Sequence, residues 1–359
     1  VVRLCAISGV VWEDRSGDRE MNDGESGVAG LTVNLMNSAG RSILSSTVTG
    51  EDGSFTLAGL RPGTYKLRVD GPEGYVFSGE RAGSALPLES QRDNWGYSAE
   101  FTLLGGADVQ DLGFGVLTQG TISGILWNDA DYDGVMQADA EGLRGATVTL
   151  IDENGSEVAS TSTIRSGEFA FAQLMPGRYS MRVDLPQDYV FTAGGGDSLA
   201  GNESGCSATI ELGELSMGGT IANLRLGALK PAAVGGVIWL DQDDDGRRQN
   251  GDSGVSGVRA VLTMTSGADA GRQYETRTDE SGAYTFASVM PGTAEITYEL
   301  AHGQAFARNA SGSKRVSSVK MANALHATTA EFALTSGEVR ADIDVGVVGV
   351  GEIRGKIWE

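Results

Sequence analysis

Cysteine and histidine are scarce in this chain of 359 residues, which contains two of each. Cys5 and Cys206 have no counterparts in the repeated pattern described below, so no disulfide framework recurs along the chain, and we interpret both as free thiols. His302 and His326 stand in neither a metal-ligand nor a nucleophile–base spacing. These shortages argue against a disulfide scaffold, a zinc site and a histidine-dependent hydrolase.

Several functional motifs are missing as well. The chain has no apolar run long enough to span a bilayer, no signal peptide and no lipidation motif. It has no Gly-x-Ser-x-Gly elbow, and the glycine run at 194–196 lacks the lysine and the helix that a phosphate-binding loop needs. We therefore predict that the chain is not an enzyme and does not insert into a membrane. Because it begins in an apolar stretch and ends in a strand pattern, we expect it to be a fragment of a longer protein.

Basic residues are far fewer than acidic residues. Lysine and arginine number 27 against 48 aspartate and glutamate residues, which gives a formal net charge of −21. Such a surface repels the phosphates of nucleic acids and anionic lipid, so we predict no nucleic-acid partner. It suits cations, and part of the acidic charge is concentrated in short loops that each follow a tryptophan.

The composition that remains is typical of β-structure. Glycine is abundant at 53 residues, aromatic residues make up 7%, and no stretch shows the sustained apolar period of a helix. Short runs alternate apolar and polar residues and end at glycine, asparagine or aspartate. One of them places Leu31, Val33 and Leu35 on one face of a strand. We predict an all-β fold.

One repeated motif divides the chain. A short apolar strand ending in Trp12, Trp127 or Trp239 is followed each time by an acidic loop, a Gly-x-x-Gly turn, a hairpin and a Pro-Gly turn. This repetition predicts β-sandwich domains at 1–117, 118–229 and 230–349, and the first strand of a fourth repeat at 350–359. Because the linkers are short, we expect an extended rod. Segments at 76–97, 190–206 and 303–327 differ between repeats; they are candidate binding loops, although surface loops also diverge without a function.

Each acidic loop has the pattern of a calcium site. Aspartates at positions 1, 3 and 5, a glycine at 6, a backbone carbonyl at 7 and an acid near 12 supply the oxygens that a hard cation takes. Three carboxylates this close repel one another unless a cation lies between them. The third loop matches throughout, and its expected ligands are Asp241, Asp243, Asp245, the carbonyl of Arg247, and Asp252.

The other two loops depart from the pattern. The second has Ala140 at position 12, so Glu141 or Asp139 must serve there; its remaining ligands are Asp129, Asp131, Asp133 and the carbonyl of Val135. In the first, Arg19 stands where the glycine is expected; its candidate ligands are Asp14, Ser16, Asp18, Glu20 and Glu25. We predict Ca²⁺ rather than Mg²⁺, because Mg²⁺ keeps most of its water and seldom occupies all-protein cages. No amphipathic helix flanks these loops, which favours a structural role over that of a sensor.

Together these motifs resemble the B-type repeats of serine-aspartate repeat surface proteins, which are related to the collagen-adhesin B domain. The resemblance rests on Trp-x-Asp-x-Asp-x-Asp-Gly, Gly-x-x-Gly, Asp-x-x-Gly and Leu-x-Pro-Gly-x-Tyr, and it covers nearly the whole chain. It implies immunoglobulin-like (transthyretin-like) sandwiches that bind calcium at the loop residues named above, within the stalk of a bacterial cell-wall-anchored protein. Some relatives join their first and last strands by a Lys–Asn isopeptide bond. The first strands of the three complete units contain no lysine, so we predict no such bond there, whereas Lys356 leaves the question open for the fourth.

The leading hypothesis for function is structural. It describes a calcium-stiffened spacer, monomeric and in contact with its neighbouring repeats, that projects a binding region from the cell wall. Two alternatives stay open. The repeats themselves bind a host protein or a glycan through the divergent loops or an exposed strand edge, or they are accessory modules of a secreted carbohydrate-active protein. Trp95 and Tyr97 are the aromatic candidates for a glycan platform, and the other two units have no matching pair.

Overall fold

The computed structural model describes residues 2–80, 88–92, 95–192, 196–200, 206–249, 251–307, 319–321 and 325–350. All regular secondary structure in these ranges is β-strand, so the all-β prediction is confirmed. The described residues contain no helix with the length and apolarity needed to cross a membrane. The strand expected within 350–359, with Lys356, lies outside the described residues apart from Val350.

We call the predicted ranges 1–117, 118–229 and 230–349 the first, second and third units. The strands of the first unit are β1 (Cys5–Glu13), β2 (Thr32–Asn37), β3 (Ile43–Val48), β4 (Ser54–Leu60), β5 (Gly63–Asp70), β6 (Val76–Glu80), β7 (Leu88–Arg92), β8 (Trp95–Ser98), β9 (Phe101–Leu103) and β10 (Asp108–Leu117). Those of the second are β11 (Gly120–Asn128), β12 (Thr147–Asp152), β13 (Glu157–Ser162), β14 (Glu168–Leu174), β15 (Gly177–Asp184), β16 (Val190–Phe191), β17 (Ser207–Leu215) and β18 (Thr220–Leu229).

The strands of the third unit follow the same order. They are β19 (Ala232–Leu240), β20 (Arg259–Met264), β21 (Gln273–Arg277), β22 (Ala283–Val289), β23 (Gly292–Glu299), β24 (Gln304–Phe306), β25 (Val319–Met321), β26 (His326–Thr329), β27 (Phe332–Leu334), β28 (Val339–Arg340) and β29 (Val345–Gly349).

Each unit consists of two sheets with one topology. The first sheet has the order β4-β1-β10-β6, β14-β11-β18-β16 or β22-β19-β29-β24, and the second has β3-β2-β5-β8-β7, β13-β12-β15-β17 or β21-β20-β23-β26-β25. In addition β9, β27 and β28 pair with β5, β23 and β19. Every strand pairing among the described residues joins strands of one unit, which agrees with the predicted division; its boundaries stay a prediction.

Apolar residues at alternating strand positions form a separate core in each unit. In the first unit Ile7, Val33 and Leu67 are fully buried, and equivalent positions are buried in the other two. Burying a side chain of this size stabilises the fold by about 1.5–3 kcal/mol. The third unit differs at one cross-strand pair. Valine faces valine there in the first two units, whereas Ala260 faces Tyr298 in the third, so the smaller residue makes room for the phenol.

The first and last strands of each unit run parallel, with one extra residue in the last strand. In the first two units this extra residue lies next to a left-handed backbone, at Asp111 (φ 61°) and Asn223 (φ 60°). In the third unit the strand that pairs with β19 is interrupted between β28 and β29. The interruption has a physical cause, because Asp344 Oδ1 accepts a hydrogen bond from Val237 N (2.8 Å) and takes the place of a backbone partner.

Both ends of each acidic loop are fixed by the same contacts. The tryptophan at the end of the first strand is fully buried and forms an isolated bridge with a glycine beyond the loop, as between Trp239 and Gly254. A Cβ atom on Gly254 would lie 2.0 Å from Ser281 O, so only glycine allows this approach. The three loops therefore start and finish at equivalent points of the sandwich.

Candidate metal centre

The second and third loops each bring three carboxylates together. Carboxylate oxygens of Asp129, Asp131 and Asp133 lie within 4.8 Å of one another, and those of Asp241, Asp243 and Asp245 do the same. In each loop the first aspartate is buried and the other two are exposed. The residues predicted at positions 1, 3 and 5 are thus adjacent in space, with one oxygen donor beneath the loop and two at its surface.

In the second and third loops the buried aspartate has one oxygen without a donor among the described residues. Asp129 Oδ2 accepts a hydrogen bond from Gly134 N (2.9 Å) and Asp241 Oδ2 accepts one from Gly246 N (2.7 Å), but within the described part of the chain Oδ1 of each aspartate has no hydrogen-bond partner. Burial raises the pKa of Asp129, and the neighbouring carboxylate of Asp131 adds to the effect. Burial likewise raises the pKa of Asp241 beside Asp243. A buried carboxylate oxygen that lacks a partner is unfavourable, and a cation at this point would satisfy it.

The backbone of each loop is held by its own aspartates. Asp133 Oδ1 accepts a hydrogen bond from Val135 N (2.7 Å), and Asp245 Oδ1 accepts one from Arg247 N (2.8 Å). Gly134 and Gly246 both have a φ of 73°, in the left-handed region that favours glycine. The sharp turn required at position 6 of a calcium loop is present in both.

The first loop has the same backbone but different hydrogen bonds. Arg19 adopts a φ of 68°, and its N–H donates to Asp14 Oδ2 (3.0 Å), so arginine occupies the conformation that glycine has elsewhere. Asp14 Oδ1, however, accepts hydrogen bonds from Gly17 N (2.8 Å) and Ser16 Oγ (3.3 Å). The oxygen that lacks a donor in the other two loops is therefore satisfied within the first.

Position 12 differs among the loops. Glu25 accepts hydrogen bonds from Ser16 N (3.1 Å) and Asn22 N (3.0 Å), and Asp252 accepts one from Gln249 N (2.6 Å). In the second loop this position is Ala140. The alternatives Asp139 and Glu141 are exposed and line the same cavity of about 570 Å³ as Asp131. The two acids are therefore near the cluster. Among the described residues, neither side chain accepts a hydrogen bond from the loop backbone as Glu25 does.

An amide at position 9 was missed by the sequence analysis. Gln249 Nε2 donates to Asp243 (3.1 Å) and Asp245 (3.0 Å), Gln137 Nε2 donates to Asp133 (3.2 Å), and Asn22 Nδ2 donates to Asp18 (2.7 Å). Position 9 is a usual ligand position in calcium loops, and rotating the amide by 180° would present its oxygen instead. An amide side chain stands at position 9 of all three loops, and this recurrence would have predicted it as a ligand.

The SdrD B-like domain family matches the chain three times, at residues 5–116, 120–225 and 232–347. The chain belongs to the SdrD B-like domain family. The resemblance predicted from the motifs is thereby confirmed. Each match lies inside one of the predicted units.

Similar full-length proteins are much longer than this chain. Serine-aspartate repeat-containing protein D of Staphylococcus aureus (strain MW2) is 29% identical over 310 residues, which is 83% of this chain and 21% of that protein. Protein F of Staphylococcus epidermidis is 29% identical over 301 residues, 83% of this chain and 17% of that protein. Among solved structures, the match to the Bacillus anthracis TIE protein spans 97% of this chain and 51% of the TIE chain, at 16% identity and a TM-score of 0.31. A TM-score this low supports no inference.

One divergent segment of the second SdrD B-like unit contacts the acidic loop. Asp197 N donates to Gly134 O (2.7 Å), and Asp197 Oδ2 accepts a hydrogen bond from Met136 N (3.1 Å). The other carboxylate oxygen forms an ion pair with Arg225 (3.0 Å). No sequence motif predicts this contact, because it joins a variable segment to a loop 61 residues earlier in the chain.

The remaining candidate residues have structural surroundings. Arg68 lies over the ring of Trp95, with 4.8 Å between the guanidinium carbon and the ring centroid, so one face of the indole is covered. Trp95 is therefore a poorer glycan platform than the sequence suggested. Cys5 is buried and its thiol donates to Leu104 O, Cys206 is exposed, and both are free. His302 is exposed and His326 is half-buried.

Proposed function

We propose that this chain is a calcium-stiffened spacer in a bacterial surface protein, where it holds other regions away from the cell wall. The observation that carries the proposal is the buried oxygen without a donor, Asp129 Oδ1 in the second unit and Asp241 Oδ1 in the third, each within a group of three carboxylates. The names of the staphylococcal relatives, which describe serine-aspartate repeat proteins, agree with a repeated element of a larger protein.

The donor set suits Ca²⁺, which takes six to eight oxygens from carboxylates, carbonyls and amides. In the third loop the carboxylates of Asp241, Asp243, Asp245 and Asp252, the Arg247 carbonyl and the Gln249 amide would hold it. In the second loop the donors would be Asp129, Asp131, Asp133, the Val135 carbonyl and Gln137. The ion supplies positive charge among carboxylates that otherwise repel one another, which fixes the shape of the loop.

The loops also stand where one unit meets the next. The cavity beside Asp131 is lined by Thr335 of the third unit as well as by second-unit residues. Gly17 of the first loop lies against Pro176 of the second unit. An ion that fixes the loop therefore also fixes the surface that the following unit contacts. Stiffness at these joints is what a spacer requires, and it involves no partner other than the neighbouring repeats.

Calcium binding and thermal unfolding test the proposal on the full chain. Isothermal titration should show at least two sites, and calcium at 100 times its dissociation constant should stabilise each site's unit by about 2.7 kcal/mol relative to chelator. Asp241→Asn should remove one site and the calcium-dependent stabilisation of the third unit alone. Asp342→Asn, at an exposed position of the same unit, is the matched control and should change neither. No binding heat, together with identical unfolding in calcium and in chelator, would rule the proposal out.

A further inference from the structure

The fourth residue of each acidic loop is more buried than its neighbours. Gly17, Tyr132 and Asp244 all have a left-handed backbone, with φ values of 75°, 60° and 55°. In each loop the residues directly before and after this position are exposed. Tyr132 is only 7% exposed, although it stands between two exposed aspartates. Position 4 is therefore the most protected point of this exposed stretch in each loop.

At the first joint the covering group is the Pro-Gly turn of the second unit. A Cβ atom on Gly17 would lie 3.3 Å from Pro176 O and 3.5 Å from Pro176 Cδ. The turn between β14 and β15 is thus approached directly by the backbone of the preceding loop. A residue without a side chain allows this approach.

In the third unit the equivalent turn is already occupied. The hairpin at 265–272 is longer than its counterpart at 153–156 and folds over the Pro291 turn. A Cβ atom on Gly267 would lie 3.0 Å from Pro291 O, and Thr265 N donates to Thr293 O (2.7 Å). Gly267 therefore approaches the Pro-Gly turn of its own unit in the way that Gly17 of the first unit approaches the Pro-Gly turn of the second unit.

The second joint is consequently built around a larger residue. Tyr132 is this larger residue, and its neighbour Asp131 lines one cavity with Thr335 of the third unit. The pKa of Arg272 is raised chiefly by its hydrogen bond with Asp269 and, to a lesser degree, by Tyr132. The guanidinium of Arg272 lies over the ring of Tyr274, 5.1 Å from its centroid, so the end of the long hairpin is held within the third unit. Lys230 adds a further link, because its main chain bonds the 336–337 turn of the third unit while its ammonium lies 3.8 Å from Asp188 of the second.

We infer that position 4 of the first and second acidic loops and the Pro-Gly turn of the following unit form matched pairs that set how these units dock. Gly17 docks against the second unit, in which no hairpin of that unit covers the Pro176 turn in the described residues. Tyr132 docks against the third unit, in which the hairpin at 265–272 covers the Pro291 turn. The partner recognised by each loop end is thus an SdrD B-like unit of a defined kind. The inference rests on the proposed spacer function, and it adds that the order of the units is encoded at their joints.

Distances between spin labels on adjacent units test the pairing in the full chain. Exposed strand residues at Val48, Val158 and Ala287 are replaced pairwise by labelled cysteine in a Cys206→Ser background. Tyr132→Gly should broaden the distribution between positions 158 and 287 about twofold, because domains without a substantial interface move independently, and leave that between 48 and 158 unchanged. Gly17→Tyr should shift or broaden the 48–158 distribution alone.

Two control variants accompany these measurements. Arg15→Tyr places the same side chain at an exposed position of the first loop, and Ala130→Gly adds backbone freedom to the second without altering Tyr132; neither should change a distance. Tyr132→Phe should keep the wild-type width. An unchanged 158–287 width in Tyr132→Gly would overturn the inference. Chelator separates the two proposals: if it leaves the wild-type widths unchanged while Tyr132→Gly broadens one, the calcium proposal fails and the docking pairs stand.

Discussion

At the scale of single residues, Arg19 shows how one loop keeps its shape without the expected glycine. Its left-handed backbone and its hydrogen bond to Asp14 match those of Gly134 and Gly246 in the other loops. For a residue with a Cβ atom this conformation costs about 1–2 kcal/mol. The hydrogen bonds that satisfy Asp14 within the loop offset that strain.

We expect Arg19→Gly to stabilise the first unit by about 1 kcal/mol, because the left-handed strain is removed and only part of the gain is lost to the freer unfolded chain. Thermal unfolding of the full chain in chelator measures the change. Gly134→Ala is the reciprocal control and should destabilise the second unit by a similar amount. A lower stability of Arg19→Gly would show that the arginine side chain contributes more than its backbone costs.

The sequence predicted the residues of the candidate site better than their interactions. The spacing of Asp129, Asp131 and Asp133 was enough to predict a carboxylate cluster, because a tight turn brings alternate residues together. It did not reveal that Asp14 is satisfied by Ser16 and Gly17, which depends on hydrogen-bond directions. The calcium ion itself stays a prediction.

At the scale of secondary structure elements, the last strand of the second and third units packs a glycine against the tryptophan of the first strand. A Cβ atom on Gly346 in β29 would lie 3.0 Å from Cζ2 of Trp239 and 3.1 Å from the Cβ of Ala307. Because Trp239 is fully buried and borders the acidic loop, neither neighbour can move away freely. The glycine therefore allows the two strands and the tryptophan to occupy one layer.

We expect Gly346→Ala to destabilise the third unit by about 1–3 kcal/mol, since the added methyl group overpacks a closed site. Gly349→Ala is the matched control in the same strand, because no atom of the described residues lies within 4 Å of a Cβ atom there. Its stability should be within about 0.5 kcal/mol of wild type. Denaturant unfolding followed by tryptophan fluorescence compares the two. Equal stability of both variants would contradict the packing argument.

Strand positions were predicted from alternation, but strand interruptions were not. The run at 339–348 reads as one strand, because nothing in its apolar pattern marks the break after Arg340. The break depends on Asp344 bonding to Val237 and on Ile343 accepting a hydrogen bond from Tyr284 (2.6 Å). These partners come from β19 and β22, far away in the sequence, so no local pattern contains them.

At the scale of the whole molecule, the third unit has a buried pair of tyrosines that the first two units lack at the equivalent positions. In the third unit Tyr298 donates to the hydroxyl of Tyr284 (2.6 Å), which donates to Ile343 O. Burial raises the pKa of both tyrosines. In the first two units the equivalent residues are phenylalanine and valine, and the second unit has one buried phenol, Tyr179, whose pKa is raised by burial.

We therefore expect the third unit to lose stability first as the pH rises. Below pH 10, about the pKa of a tyrosine in the unfolded chain, both states are protonated and the unfolding free energy is unaffected. Above it the unfolded chain releases protons that the folded unit retains, so the unfolding free energy falls. Calorimetry between pH 8 and pH 11.5 should show one transition moving to lower temperature ahead of the others. Tyr298→Phe should reduce that shift, and a parallel decline of all three units would refute the assignment.

The tandem organisation followed from the sequence, whereas the joints did not. Three tryptophan-headed motifs predicted three repeats, and the three family matches fall at the same places. The hairpin at 265–272 covers the Pro291 turn through contacts within the third unit, whereas Gly17 lies against Pro176 through a contact between two units. A motif that is the same in all units cannot predict how neighbouring units contact each other. Those contacts depend on residues that differ between the units.

The parallel pairing of first and last strands governs the response to tension. Chain ends pulled apart draw β1 and β10 in opposite directions along their length, so the load falls on seven paired residues together as shear. An arrangement that could be peeled open one rung after another would yield at a lower force. Since β10 leads into β11 after Leu117 and β18 into β19 after Leu229, the same pull passes from one sandwich to the next through strands of this kind.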